Sequence, residues 1–148
     1  MTAGDAQVIA TWRYDGDWSV YNLDSAQTLL DDLSCYQAVL AGEGLVGFCC
    51  SGIAARVPGI ADEPGTLDVG MGMDPTLVGQ GHGAAFGSTV LDHLTAQHPN
   101  QTIRVVVQDW NTRSLQLARR LGFSDAGALV ALQRDQHVTY RVLTRLPA

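Results

Sequence analysis

The chain of 148 residues contains no lysine, so its nine basic residues are all arginines. Because a P-loop ends in Gly-Lys-Ser or Gly-Lys-Thr, this absence excludes that nucleotide-binding loop. No apolar run approaches the roughly 20 residues that a membrane-spanning helix needs. Residues 1–5 lack the basic start of a signal peptide, and none is expected. The net charge of −6 argues against a general nucleic-acid-binding surface.

Cysteine is also scarce. Cys35, Cys49 and Cys50 are odd in number and lie in apolar segments, which favours buried, reduced thiols and a cytoplasmic location. A nucleophilic role for the adjacent pair is disfavoured. The sequence has neither C-x-x-C nor H-E-x-x-H, and His93 and His98 do not have the spacing of a zinc helix. We therefore predict no metal site.

What the chain does contain is enough apolar sequence for one core. Apolar residues make up 46% of it and charged residues only 16%, which indicates a folded globule rather than disorder. There is no repeat and no low-complexity tract. We predict a single domain over residues 1–148.

The order of periodic segments predicts an α/β (α+β) fold. Alternating apolar residues indicate strands at 36–41, 45–51, 67–73 and 102–108, with a closing antiparallel hairpin at 130–133 and 138–146. Capping residues and helical spacing indicate helices at 5–12, 24–32, 85–98 and 111–121. The middle of the chain then forms a parallel β-α-β unit within a mixed central sheet flanked by helices.

A glycine-rich loop connects the strand at 67–73 to the helix that follows. It reads Gly79-Gln80-Gly81-His82-Gly83-Ala84, with glycine at alternate positions. Glycines allow close backbone approach, and a helix N-terminus attracts anions, so the loop suits a phosphate group. It is not a Rossmann fingerprint, because Phe86 stands where the last glycine would be. The alternative is a glycine turn without a ligand.

Two segments together resemble the GNAT superfamily of acyl-CoA-dependent N-acetyltransferases. Residues 67–83, LDVGMGMDPTLVGQGHG, are similar to the family's cofactor segment, a strand ending near proline and followed by Arg/Gln-x-x-Gly-x-Gly/Ala. Residues 111–123, NTRSLQLARRLGF, are similar to the family's Asn-x-x-Ala-x-x-Leu-Tyr-x-x-x-Gly-Phe. The resemblance implies the GNAT fold, with a splayed parallel strand pair, and a cytoplasmic N-acetyltransferase of the bacterial type.

The resemblance also implies where acetyl-CoA binds. The pantetheine arm and thioester would lie along Met71, Gly72 and Met73, and Asn111 and Ser114 would line the other side of the arm. The pyrophosphate would lie on the loop residues Gly79, Gln80, Gly81, His82, Gly83 and Ala84. The acceptor would be a small-molecule amine or a protein N-terminus, attacking the thioester directly. No nucleic-acid or membrane partner is expected, and such domains often form homodimers.

The sequence departs from the family's motifs at two positions. Val78 replaces the Arg/Gln that opens the loop, which matters little if backbone N–H groups bind the pyrophosphate. Ala118 replaces the tyrosine that often protonates the leaving thiolate. Tyr36, Tyr140 or water could replace that acid. The loss also leaves open an alternative function, a non-catalytic acyl-CoA-binding or sensing module of the same fold.

An attacking amine must be deprotonated, so a general base is expected. Asp68 is the first candidate, because it shares a strand face with Gly70 and Gly72. A structural carboxylate is the alternative. Glu63 and His82 are weaker candidates for the base.

For several other residues, position along the chain is the only guide to their role. The aromatic residues Tyr14, Trp18 and Tyr21 would wall the acceptor site or simply cover a small core, and Asp109 and Trp110 would shape the acceptor pocket or turn the chain. Arg119 and Arg120 would meet the 3′-phosphate of CoA or cover a solvated helix face. The acceptor's identity is not encoded in any motif.

Overall fold

The computed structural model describes all of residues 1–148. Its strands are β1 (Tyr36–Ala41), β2 (Gly44–Ser51), β3 (Thr66–Met73), β4 (Thr102–Gln108), β5 (Ser124–Gln133) and β6 (Gln136–Arg145). Its α-helices are α1 (Ala3–Ala10), α2 (Gln27–Asp31), α3 (Gly83–Gln97) and α4 (Thr112–Arg120). No helix has both the length and the apolar character needed to cross a membrane.

The strands form one six-stranded mixed sheet in the order β1-β2-β3-β4-β6-β5. Only β3 and β4 run parallel, and their pairing covers just three residue pairs, from Thr66↔Thr102 to Asp68↔Arg104. All other neighbours are antiparallel. This arrangement confirms the predicted mixed sheet with one splayed parallel pair.

Two separate apolar cores pack against the sheet. The larger one forms where the alternating residues Leu67 and Val69 of β3 meet Val90, Leu91 and Leu94 of α3, and it extends to α4. Their spacing gives the strand one apolar face and the helix one apolar stripe, as the sequence predicts. The smaller core joins α1 and α2 to aromatic residues of β1 and β2.

Several boundaries differ from the predictions: α2 begins at Gln27 and not at residue 24, α3 at Gly83 and not at residue 85, and β6 at Gln136 and not at residue 138. The first helix and β5 also differ. The first helix is capped by Thr2, whose hydroxyl accepts from the Asp5 N–H while the Asp5 carboxylate accepts from the Thr2 N–H. This capping box starts the helix earlier than a cap at Asp5 would. β5 starts at Ser124 and not at residue 130. Its first half is exposed and contains a bulge between Asp125 and Gly127, so the sequence shows no apolar alternation there. Apolar periodicity therefore could not locate the start of either element.

Candidate functional site: a wedge in the sheet with a glycine loop at its mouth

The parallel pair opens into a wedge beyond Asp68 and Arg104. From there β3 pairs only with β2, as far as Gly47↔Met73, and β4 pairs only with β6, as far as Gln108↔Tyr140. Backbone groups along the facing edges of β3 and β4 therefore have no strand partner. Such an opening accepts an extended ligand that hydrogen-bonds like a strand.

The backbone of β3 presents alternate residues to this wedge. The Asp74 N–H donates to the Val46 carbonyl of β2, so the backbone N–H and C=O groups of the even-numbered residues of β3 face β2. By alternation, the backbone N–H and C=O groups of Met71 and Met73 face β4. This orientation agrees with their predicted role as backbone contacts for the pantetheine arm.

Gly72 has a different environment from its two neighbours. A Cβ at this position would lie 2.6 Å from the ring of Phe48, so the glycine makes room for that side chain. Gly70 likewise faces Cys50, whose buried thiol has a pKa raised to about 11 by desolvation. The bare face of β3 is thus covered by β2 side chains, and Gly72 is not brought to the wedge.

The glycine loop follows β3 directly and ends at the N-terminus of α3. Gly79 and Gly81 have φ values of +80° and +82°, a conformation that other residues rarely adopt. No atom lies within 4 Å of a Cβ built at either position, so the surface of the loop is open. α3 begins at Gly83 with no side-chain cap, so its first-turn N–H groups have no capping side chain. These features fit an anion.

The two polar side chains of the loop, Gln80 and His82, have different environments. The Gln80 amide donates to the Thr76 carbonyl at 2.6 Å and so braces the loop internally. His82 is exposed at the N-cap position of α3. Residues 79–84 therefore offer a phosphate their backbone N–H groups and the exposed His82 ring, while the Gln80 amide is already bonded.

Asn111, on the other side of the wedge, is 2% exposed and caps α4 as predicted. Its Oδ1 accepts from the Ser114 N–H at 3.2 Å and from the Trp18 indole N–H at 3.2 Å. Its Nδ2 donates to the Tyr21 hydroxyl at 3.1 Å. The Asn111 side chain thus fixes the aromatic segment, and that segment lies between it and solvent.

Residues 13–22 form an aromatic strap across the mouth of the wedge. At one end the Tyr14 hydroxyl donates to the Met73 carbonyl of β3 at 2.6 Å. At the other end Trp18 bonds Asn111 and packs edge-on against Trp110, with ring centroids 5.5 Å apart. Arg113 lies 4.6 Å above the Trp18 ring. The strap therefore joins both sides of the wedge.

Asp68 lies at the apex of the wedge, but in an environment unsuited to a general base. It is 2% exposed, and its carboxylate accepts from Arg104 at 2.6 and 3.0 Å and from Arg56 at 2.9 Å. Burial alone would raise the pKa of Asp68, but the two guanidinium groups outweigh it and hold that pKa below its usual value. Glu63 also pairs with Arg104, at 3.0 Å. The geometry argues against the predicted base and favours a structural carboxylate.

Neither tyrosine that the sequence offers as a substitute for the missing tyrosine at position 118 is placed to act as the acid. Ala118 is buried in the larger core. Tyr36 packs against the smaller core, where desolvation raises its pKa to about 12. The Tyr140 hydroxyl donates its proton to Gln133. Neither tyrosine presents a free proton to the wedge.

Beside the strap, a depression of about 400 Å³ opens at the end of β4. It is lined by Val20 of the strap, by residues 108–110 and by the turn between β5 and β6, including Gln133, Arg134 and His137. Gln108 and Gln133 were missed by sequence reasoning. The available signal was a polar residue on the same strand face as Arg104, four positions along β4.

Other side chains remain outside the site. Arg119 pairs with Asp125 at 3.3 Å on the surface, in agreement with a solvated helix face. No three His, Cys, Asp or Glu side chains come together in a group that could hold a metal ion. All three cysteines are free.

The wedge, the loop and the α4 motif together define a class of protein, the acetyltransferases with a splayed sheet. A sequence model described as the Acetyltransferase (GNAT) family matches residues 6–123. The chain belongs to the GNAT acetyltransferase family. It matches none of the curated proteins with which it was compared.

Solved structures share this fold at low sequence identity. A GNAT-family acetyltransferase from Bacillus anthracis aligns with a TM-score of 0.77 at 15% identity, covering 99% of this chain and 91% of that one. A spermidine N-acetyltransferase SpeG chimera from Vibrio cholerae and hSSAT gives 0.75 at 15% identity, covering 99% and 92%. A phosphinothricin acetyltransferase from Sinorhizobium meliloti, in complex with acetyl-CoA, gives 0.71 at 18% identity, covering 100% and 86%.

Proposed function

We propose that this protein transfers an acetyl group from acetyl-CoA to a primary amine by direct attack within a ternary complex. The observation that supports this most strongly is the combination of a splayed β3–β4 pair with an open glycine loop at the N-terminus of α3. A fold neighbour from Sinorhizobium meliloti is in complex with acetyl-CoA.

In this proposal the backbone binds the donor. Residues 79–84 hold the pyrophosphate through N–H groups and the α3 dipole. Met71 and Met73 orient the pantetheine arm along β3, and a backbone N–H of β3 stabilises the oxyanion that forms as the amine attacks. Acetyl-CoA supplies the activated acetyl thioester. The C–N bond forms, the C–S bond breaks, and CoA leaves as its thiolate.

Proton transfer falls largely to solvent in this proposal. The two carboxylates near the apex, Asp68 and Glu63, are committed to arginines. Water therefore accepts the proton of the attacking amine. A thiol has a pKa of about 8.5, so its anion can leave without a dedicated acid, which lowers the rate without abolishing the reaction.

An assay of CoA thiol release with purified protein tests this function. Acetyl-CoA is offered with a panel of polyamines, amino acids, aminoglycosides and peptides with free N-termini, and each product is checked by mass for one added acetyl group. Thiol release that depends on the amine is the expected result. Acetyl-CoA binding without turnover on any amine would instead support the sensing module, which Ala118 favours.

Location and assembly are further parts of the proposal. We place the protein in the cytoplasm, which three free cysteines support. A homodimer is predicted, and sedimentation of the purified chain tests it. No metal, nucleic acid or membrane is required by the proposed reaction.

A further inference from the structure

A chain of hydrogen bonds lies beside the depression at the end of β4. The Trp110 indole N–H donates to Gln108 Oε1 at 2.6 Å. Gln108 Nε2 donates to Gln133 Oε1 at 2.9 Å, and the Tyr140 hydroxyl donates to that same oxygen. Gln108 and Tyr140 are 5% and 4% exposed, so these two members of the chain are shielded from water, whereas Gln133 is half-buried and borders the depression.

The chemistry of the first donor fixes the orientation of every later group. An indole N–H can only donate, so Gln108 must turn its oxygen toward Trp110 and its nitrogen toward Gln133. Gln133 must then present its oxygen to Gln108, and the Tyr140 hydroxyl must donate its hydrogen bond to that same oxygen. Neither amide can flip without placing two donors against each other.

The consequence is that one group remains unused. Gln133 Nε2 carries two N–H donors and has no partner within the protein, while Gln133 lines the depression. The Arg134 guanidinium and the His137 ring line the same depression. These donors suit a carboxylate. Asp109, also in the lining, suits the ammonium group of an amine before it is deprotonated.

We propose that Gln133 is a specificity-determining residue, and that the acceptor is an amine that also carries a carboxylate, as a free amino acid does. The proposal rests on the proposed acetyl transfer. The acceptor carboxylate accepts from Gln133 Nε2 and lies near Arg134. Its amine then points past Gln108 toward the wedge, where the thioester would be held.

The variant Gln133→Glu isolates this contact. A glutamate carboxylate still accepts from Gln108 and Tyr140, so the internal chain stays satisfied. On the side that faces the depression, however, the substitution replaces the two N–H donors of Gln133 Nε2 with a negatively charged carboxylate oxygen, which only accepts hydrogen bonds. Gln136→Glu is the matched control, because Gln136 lines the same depression, is exposed and has no part in the chain.

The measurement is kcat/KM for pairs of amines, each pair being an amino acid and the amine that its decarboxylation would give. In the wild type the amino acid should be favoured by about 10-fold or more in at least one pair, since hydrogen bonds to charged groups are strong. Gln133→Glu should lower that ratio by about 10-fold or more, and Gln136→Glu by less than about 3-fold. Thermal unfolding should be similar in all three proteins.

Turnover of plain amines with no preference for a carboxylate would overturn the inference and leave the acetyltransferase intact. Equal loss in Gln133→Glu and Gln136→Glu would also overturn it, because general charge repulsion would then explain the effect. If acetyl-CoA binds and no amine of either kind turns over, the proposed function itself is wrong and this inference falls with it.

Discussion

The candidate site has a donor half, where acetyl-CoA is proposed to bind, and an acceptor half, where the amine is proposed to bind. The two halves present different chemical groups. The donor half uses backbone groups, namely the open edge of β3 and the loop with Gly79 and Gly81 at positive φ. The acceptor half uses side chains from distant segments, with Trp18 of the strap meeting Asn111 and Gln133 meeting Gln108. The difference is physical: backbone groups can bind acetyl-CoA with little dependence on side-chain identity, whereas an acceptor would be selected by the particular side chains around it.

The largest effect is expected at Asp68, which lies beneath both halves. Asp68→Ala leaves Arg104 buried without its main partner, and we expect a loss of about 3–5 kcal/mol in unfolding free energy. Asp125→Ala removes an exposed pair with Arg119 and should cost about 0–1 kcal/mol. Urea unfolding measures both. A stable Asp68→Ala protein whose kcat is about 10²–10⁴-fold lower would restore Asp68 as the general base.

The same residue gives a prediction about acid. Because the folded protein holds the pKa of Asp68 below its usual value, this carboxylate contributes stability above its unfolded pKa of about 3.9. That contribution is lost as the pH falls from there through the lowered pKa of the folded state. Between pH 5 and the acid limit, the unfolding free energy of Asp68→Asn should therefore fall less steeply than that of the wild type. Parallel curves would show that the ion cluster is not linked to stability.

The next effect separates the donor half from the rest. Gly81→Val places a branched side chain at φ +82°, with a strain of about 1–3 kcal/mol, so the loop should change shape and the Kd for acetyl-CoA should rise about 10–100-fold. Gly42→Val is the control, because Gly42 has φ +62° and open space but lies in the β1–β2 turn. It should lose similar stability and keep its affinity. Calorimetric titration that finds equal affinities in both variants would contradict a backbone-bound pyrophosphate.

A smaller effect is expected at the acceptor half. Trp18→Phe keeps an aromatic ring beside Trp110 and removes the N–H that bonds Asn111, a change worth about 0.5–1.5 kcal/mol. We expect KM for the amine to rise about 2–12-fold, since the strap loses one anchor, with little change in the Kd for acetyl-CoA. Steady-state kinetics at saturating acetyl-CoA measures this. A change confined to acetyl-CoA affinity would place Trp18 in the donor half instead.

The donor half could be predicted from sequence because its features are local. Glycine at alternate positions and a helix start predicted at residue 85, two residues after the observed start at Gly83, are set by neighbours along the chain. The Asn111 cap, in the acceptor half, was predictable for the same reason. The alternation of β3 was also predicted correctly. What covers the glycine face was not, because Phe48 and Cys50 come from another strand.

The acceptor half and the role of Asp68 depend on contacts that no local pattern encodes. The partners of Asp68 are 12 and 36 residues away, and an isolated carboxylate in a strand gives no sign of them. Trp18 and Asn111 are 93 residues apart. The orientation of Gln133 follows from a donor-only indole that reaches it through Gln108, a relation visible only in three dimensions.

A crystal structure with bound acetyl-CoA tests the central claim most directly. Our account predicts the pyrophosphate on the N–H groups of residues 79–84, the pantetheine arm between β3 and β4, and the thioester beside the backbone of Met71 or Met73. A pyrophosphate bound away from the loop, or an acetyl group outside the wedge, would contradict it.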